Sequence, residues 1–193
     1  MSETAATTIW SLADIKAAFS ITNSNEDARL VRIADGICQF IERVTSRFYV
    51  TRTITEVQDG HGSRLAFLER VPVTAFTSIV ILRYPSDATT ETMDPLRYNV
   101  NLRTGKIWAH NDIFTRGNGN LTFTYQSGYG TKGDSTLPAW AIGLDMIRIV
   151  FDEERTGAKG GTQVSIGPQT YIVKSDWPVY VKTALKNLAA PQV

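Results

Sequence analysis

A chain of 193 residues with 42% hydrophobic and 20% charged residues has the length and composition of one ordinary globular domain, with room for extended arms, whose core needs neither a metal nor a disulfide. The net charge of +1 argues against a dedicated DNA-binding surface, which carries a basic excess. The single cysteine, Cys38, forms no internal disulfide, the opening Met1-Ser2-Glu3-Thr4-Ala5-Ala6 does not read as a signal peptide, and no apolar run approaches the roughly 18 residues of a membrane span, so folding in a cytosol is expected.

Residues 1–10 are mostly small and polar and are expected to be flexible. Ser11 reads as the cap of a short helix to about Phe19, with Asp14 placed where negative charge suits the first turn. Ile21 to Asn25 breaks it. A second helix is expected from Glu26 to Thr45, because Leu30, Ile33, Ala34, Ile37, Ile41 and Val44 recur at three-and-four spacing. Cys38 falls inside this apolar pattern and reads as a core thiol.

From Phe48 to Val57 β-branched and aromatic residues dominate, and the run ends at Asp59-Gly60. Arg64 to Leu68 is expected to pair back across that turn, and Thr77 to Leu82 is a further strand. Pro85 to Pro95 reads as a polar loop. Tyr98 to Val100 and Lys106 to Trp108 flank a hairpin turn at Arg103-Thr104-Gly105, and Arg116 to Asn120 reads as another turn before the strand Leu121 to Tyr125.

Pro138 suits the first turn of a third helix. Its stripe is Ile142, Met146, Ile149 and Val150, with Leu144 and Ile147 beside it, and it ends near Glu153-Glu154-Arg155. Gly157, Gly160 and Gly161 mark a hinge. Gln163 to Ile166 and Thr170 to Val173 form a hairpin around Gly167-Pro168. Ser175 or Asp176 then caps a last helix with Trp177, Val181, Leu185 and Leu188 along one side. The fold class is therefore α+β: a small helical bundle, antiparallel strands and hairpins, and a C-terminal hairpin-helix arm.

Groups capable of chemistry are sparse. Asp59 with His61, and His110 with Asp112, each offer two metal ligands. A metal site needs three or four convergent groups, so surface turns are the preferred reading and no cofactor is implied. Gly117-Asn118-Gly119 and Gly157-Ala158-Lys159-Gly160-Gly161 lack the Gly-Lys-Ser/Thr ending of a phosphate loop. With no converging nucleophile, base and orienting group, the chain is not read as an enzyme. Asp152, Glu153, Glu154 and Arg155 sit at a helix end, where carboxylates oppose the dipole. A solvated helix end and an intersubunit ion pair are both open there. Trp177, a large apolar side chain beyond a hinge, is either an anchor for another protein or part of the chain's own core.

Several local signals, in order, carry a resemblance. They are the helix exit Ile41-Glu42-Arg43-Val44-Thr45-Ser46-Arg47-Phe48, the turn Asp59-Gly60-His61-Gly62-Ser63, the step Val71-Pro72-Val73, then Tyr98-Asn99-Val100, Thr104-Gly105-Lys106-Ile107 and Thr124-Tyr125-Gln126-Ser127-Gly128-Tyr129, and the Pro138-capped helix. Over about residues 11–152 the chain resembles the head-to-tail adaptor (connector) proteins of long-tailed bacteriophages and related gene-transfer particles. The family's helix exit has glycine where this chain has Ser46, so a less sharp ending is expected.

The resemblance implies a structural virion protein, made in the host cytoplasm, that forms a dodecameric ring beneath the portal. The ring extends the DNA channel without reading sequence and offers a platform to a tail-side neck protein; no membrane is involved. Residues 11–156 would be the adaptor core and residues 157–193 a docking arm. Trp177, Tyr180, Val181, Leu185 and Leu188 would bind the portal, and removing residues 176–193 would leave the rest folded. The alternatives are another ring-forming neck protein (head completion or tail terminator) and, from a different class, a cytosolic metal-dependent enzyme or binding module built on Asp59, His61, His110 and Asp112.

Overall fold

The computed structural model of the protein describes residues 8–84, 89–156, 161–166, 169–174 and 177–189. In chain order the first elements are α1 (Leu12–Phe19), α2 (Asp27–Thr45), β1 (Arg52–Gly60), β2 (Leu65–Phe67), β3 (Val73–Tyr84), β4 (Thr89–Thr92), a 3-10 turn (Pro95–Arg97), β5 (Tyr98–Asn101) and β6 (Lys106–Ala109). Then follow β7 (Gly117–Ser127), α3 (Trp140–Thr156), β8 (Gly161–Ile166), β9 (Gln169–Lys174) and α4 (Val179–Ala189). The fold is α+β, as the periodicities imply.

The chain divides into two units. Residues 51–129 form a β unit inserted between α2 and α3, and residues 6–50 and 130–193 form a helical unit. The helical unit runs on past residue 157, the boundary expected from the sequence. An apolar helix stripe must be buried against another element, and here the last helix contributes to the same core as α2 and α3.

In the helical unit, Ser11 and Asp14 close a reciprocal capping box at the start of α1: Asp14 N donates to Ser11 Oγ (3.2 Å) and Ser11 N donates to Asp14 Oδ2 (2.9 Å). Ile9 and Trp10, expected within a flexible start, are buried instead, and Trp10 Nε1 donates to the Trp140 carbonyl at 3.1 Å. Large apolar side chains beside a helix are drawn into a core even when the preceding residues are polar. The first seven residues lie outside the described ones.

Along α2 the expected stripe is buried from Leu30 to Ile41 together with Cys38, but Val44 is 45% exposed and Thr45 is buried in its place. The buried side of the last turn thus follows the four-residue step from Ile41, and Thr45 Oγ1 donates back to the Ile41 carbonyl at 2.7 Å. Ser46 then takes φ 55° and ψ 30°, the left-handed conformation that a glycine adopts at a helix end. The helix therefore ends in the conformation that favours glycine, not in a looser one. Along α3 the buried face is Gly143, Met146, Ile147, Val150 and Phe151. Ile142 and Ile149, expected at its centre, are half-buried. Pro138 lies in the turn just before the helix, which starts two residues later.

The β unit holds two antiparallel sheets, one ordered β1-β7-β3-β4 and the other β2-β6-β5. Ile79, Ile81, Leu121, Phe123 and Tyr125 supply buried residues of the larger sheet. Residues 64–68, expected to pair with the strand before them, pair with β6 instead. The far end of β1 is held by β7: Asp59 Oδ1 accepts from Gly119 N at 2.6 Å, and buried Asn120 accepts from Gly60 N at 2.7 Å. The expected turn at 116–120 is accordingly the beginning of β7, with Gly60 opposite Gly117. A Cβ on Gly60 would come within 1.8 Å of the Thr115 carbonyl oxygen, so this corner requires glycine. Within the expected polar loop, Thr89–Thr92 adds the edge strand β4 to β3; residues 85–88 lie outside the described ones. The β5–β6 hairpin forms as expected, with Asn101 Oδ1 accepting from Arg103 N and Thr104 N (3.1 Å each) and Gly105 at φ 66°.

Candidate functional site

The structure answers differently for each sequence-derived candidate. Trp177, Val181 and Leu185 are buried, at 6%, 0% and 5% exposure, and the Trp177 ring lies 5.9 Å from that of Phe40 on α2. They belong to the helical core and are not an exposed anchor. An apolar stripe at helical spacing is read the same way whether its partner is another protein or the same chain, and here the partner is α2. The side chains α4 leaves exposed at its start are Val179 and Tyr180, at 79% and 53%, while Leu188 is half-buried. Removing residues 176–193 would therefore uncover a core, contrary to expectation.

The carboxylates at the end of α3 separate as well. Glu154 is drawn inward: Arg32 Nη2 donates to both its oxygens (2.8 and 2.7 Å) and Arg29 Nε donates to Oε2 at 3.1 Å. Its charge is thus met within the chain, on α2. Arg29 also stacks over Phe151, 5.9 Å from the ring centroid. Asp152 pairs with Arg148 one turn earlier, at 4.0 Å, and Arg155 is exposed. Gly157 and Gly160 of the expected hinge lie outside the described residues, and Gly161 opens β8. The hairpin of β8 and β9 follows, in register from Gly161 with Lys174 to Ile166 with Gln169. Ser175 and Asp176, the expected cap, lie outside the described residues.

The histidine pairs do not converge on a metal site among the described residues. Asp59 is engaged by Gly119, as above, and Asp112 by Arg97. Among the described residues no three His, Cys, Asp or Glu side chains gather where they could hold a metal ion. Among them too, no helix is long and apolar enough to cross a membrane.

Two arrangements escaped the sequence reading. The first is a buried polar knot in the β unit. Glu56, 2% exposed, accepts from Tyr125 Oη (2.5 Å), from Glu69 N (3.2 Å to each oxygen) and from the Gln58 amide. Burial and the adjoining carboxylate push the Tyr125 phenol well above the usual tyrosine range. Tyr125 therefore stays a donor and ties β7 to β1 and to the chain after β2. The alternation of β1 contained this signal, because Glu56 shares a face with Ile54.

The second arrangement is the outer face of the three-stranded sheet. Leu65 pairs opposite Trp108 and Phe67 opposite Lys106, with Asn99 and Asn101 completing that face. Trp108 is 45% and Phe67 58% exposed, and Lys106 Nζ sits 5.6 Å from the Trp108 ring centroid. The other face carries Ala66, Ile107, Tyr98 and Ala109, all buried. The small sheet thus presents apolar side chains on both sides.

No family model matches the chain, and a sequence comparison with curated proteins gives no match. Solved structures do match in fold. A chain in the neck of an empty gene transfer agent particle, computed with C6 symmetry, superposes with a TM-score of 0.66 at 12% identity, over 94% of this chain and 90% of the other. A chain in the neck of the native particle, computed with C12 symmetry, gives 0.65 at 12% identity over 94% and 89%. A chain in the virion of the native particle gives 0.65 at 13% identity over 94% and 90%. At such identities the likeness is one of fold, and the protein has the fold of these particle chains along nearly its whole length.

Proposed function

We propose that the protein is a structural neck component of a phage-like particle: a head-to-tail adaptor whose copies close into a ring beneath the portal, extend the DNA channel and receive the tail. The observation that carries this reading is the fold shared over 94% of the chain with proteins found in gene-transfer-particle necks. The order of motifs from Ile41-Glu42 to Thr124-Tyr125-Gln126 supports it independently, because it lies in the local sequence and not in the fold. A net charge of +1 suits a wall past which DNA must slide, since strong phosphate attraction would hold it. Another ring-forming role in the same neck, head completion or tail termination, is the second reading, and the same fold likeness supports it.

Within this proposal the portal-docking role stays with Tyr180, on the exposed side of α4, is joined there by Val179, and leaves the buried Trp177, Val181 and Leu185. Asp152 and Glu153 keep a proposed role between subunits, whereas Glu154 serves inside the chain. Antibody raised against the exposed Pro95–Arg97 turn and imaged on whole particles tests the placement. Label at the head–tail junction supports it, and label on the capsid faces or along the tail contradicts it.

A further inference from the structure

We infer that the outer face of the β2-β6-β5 sheet, centred on Phe67 and Trp108, is a contact between copies of this chain. The inference rests on the ring reading above and adds which surface closes the ring. An antiparallel sheet that turns one face to water normally makes that face polar. This one places Leu65, Phe67 and Trp108 there, although its opposite face is already buried. Tryptophan and other aromatic side chains are the types that anchor interfaces.

The chemistry of the face selects the occupant. Its one cation, Lys106, is held over the Trp108 ring, so the face lacks the basic groove that a single-stranded nucleic acid requires alongside stacking aromatics. An apolar surface with one positive charge fits a protein surface carrying a carboxylate. The chain itself carries one at the end of α3, where the Asp152 side chain is 55% exposed beside its partner Arg148. A face meeting a different patch on the next copy is a head-to-tail contact, and such contacts generate rings when the rotation closes. The near-zero net charge lets many copies assemble without mutual repulsion.

The test exploits the burial of the one native cysteine. Cys38 is 1% exposed, so a Phe67→Cys variant carries a single accessible thiol, to which a benzophenone maleimide is attached. The labelled protein is mixed with the portal protein encoded beside it and irradiated, with unlabelled wild-type protein assembled in parallel. Covalent products containing two or more copies of this chain, absent from the unassembled labelled protein, are expected. Products joined only to the portal, or none although both proteins assemble, overturn the inference and leave the ring reading standing. If the wild-type protein forms no multi-copy assembly, the ring reading fails and the inference fails with it. A Phe67→Ser, Trp108→Thr variant gives a second readout: it keeps its thermal midpoint within a few degrees and loses assembly at least tenfold.

Discussion

Trp10 packs onto the backbone of Gly143: a Cβ at that glycine would lie 2.0 Å from Cζ2 and 2.2 Å from Cη2 of the indole. The same indole donates its N–H to the Trp140 carbonyl, so it meets the first turn of α3 along one edge. Gly143 thereby admits a large side chain at the place where any other residue would keep it out. Gly143→Ala should destabilise the protein by about 1–3 kcal/mol through overpacking, even though alanine is the better helix former by about 1 kcal/mol. Urea denaturation measures it. Combining Gly143→Ala with Trp10→Leu should cost less than the sum of the two, because the clash and the large ring disappear together.

Ser46 stands in the left-handed region with its side chain exposed. Ser46→Gly should stabilise the fold by about 0.5–1 kcal/mol, because a residue with a Cβ is strained there and glycine is not. A rise in the thermal midpoint checks it. A fall would mean that the serine's contacts outweigh its backbone strain.

The last helix separates stability from assembly. Trp177→Ala should cost about 3–5 kcal/mol, the usual range for emptying a buried aromatic site, and the thermal midpoint should fall accordingly. Tyr180→Ser, on the exposed side, should leave stability within about 0.5 kcal/mol of wild type while weakening portal association. Calorimetry on both variants, with pull-down by the portal for Tyr180→Ser, distinguishes the two roles.

Asp35 is half-buried on α2. Burial raises its carboxyl above the ordinary range, and the Lys132 cation only partly offsets this. A carboxyl raised in the folded state binds its proton more tightly there than in the unfolded chain, so its stabilising contribution is complete below the unfolded pKa and is lost as pH rises through the folded one. At neutral pH the charged form is therefore a liability. Asp35→Asn should raise the thermal midpoint at pH 7, and the gain should shrink as pH falls from the raised folded pKa to the ordinary aspartate value. A gain independent of pH would assign the effect to packing rather than charge.

Helices and the hairpins at 98–109 and 161–174 were legible because each depends on local signals: apolar spacing, a capping serine, a turn asparagine or glycine. What was not legible depends on partners distant in sequence. β2 pairs with β6 and not with the strand before it, because β7 occupies the end of β1 through Asn120 and Gly119. The division of the chain, with a β unit inserted between α2 and α3, leaves no compositional mark at Val50 or Gly130. The burial of Trp177, Val181 and Leu185, expected to dock, in the chain's own core was hidden for a related reason. Trp177, Val181 and Leu185 announce burial, but a stripe says nothing of what buries it, and the apolar residues α4 leaves exposed at its start, Val179 and Tyr180, fall outside that stripe. The aromatic sheet face at Phe67 and Trp108 becomes visible only when register sets the two strands side by side.

The central claim, that copies of this chain form a ring on a portal, is tested most directly by the mass of the complex formed when the protein is mixed with the portal protein encoded beside it. The account predicts one discrete species in which each portal subunit gains one copy of this 21.4 kDa chain. A folded protein that adds no mass to the portal, or adds it without a fixed ratio, would contradict the account.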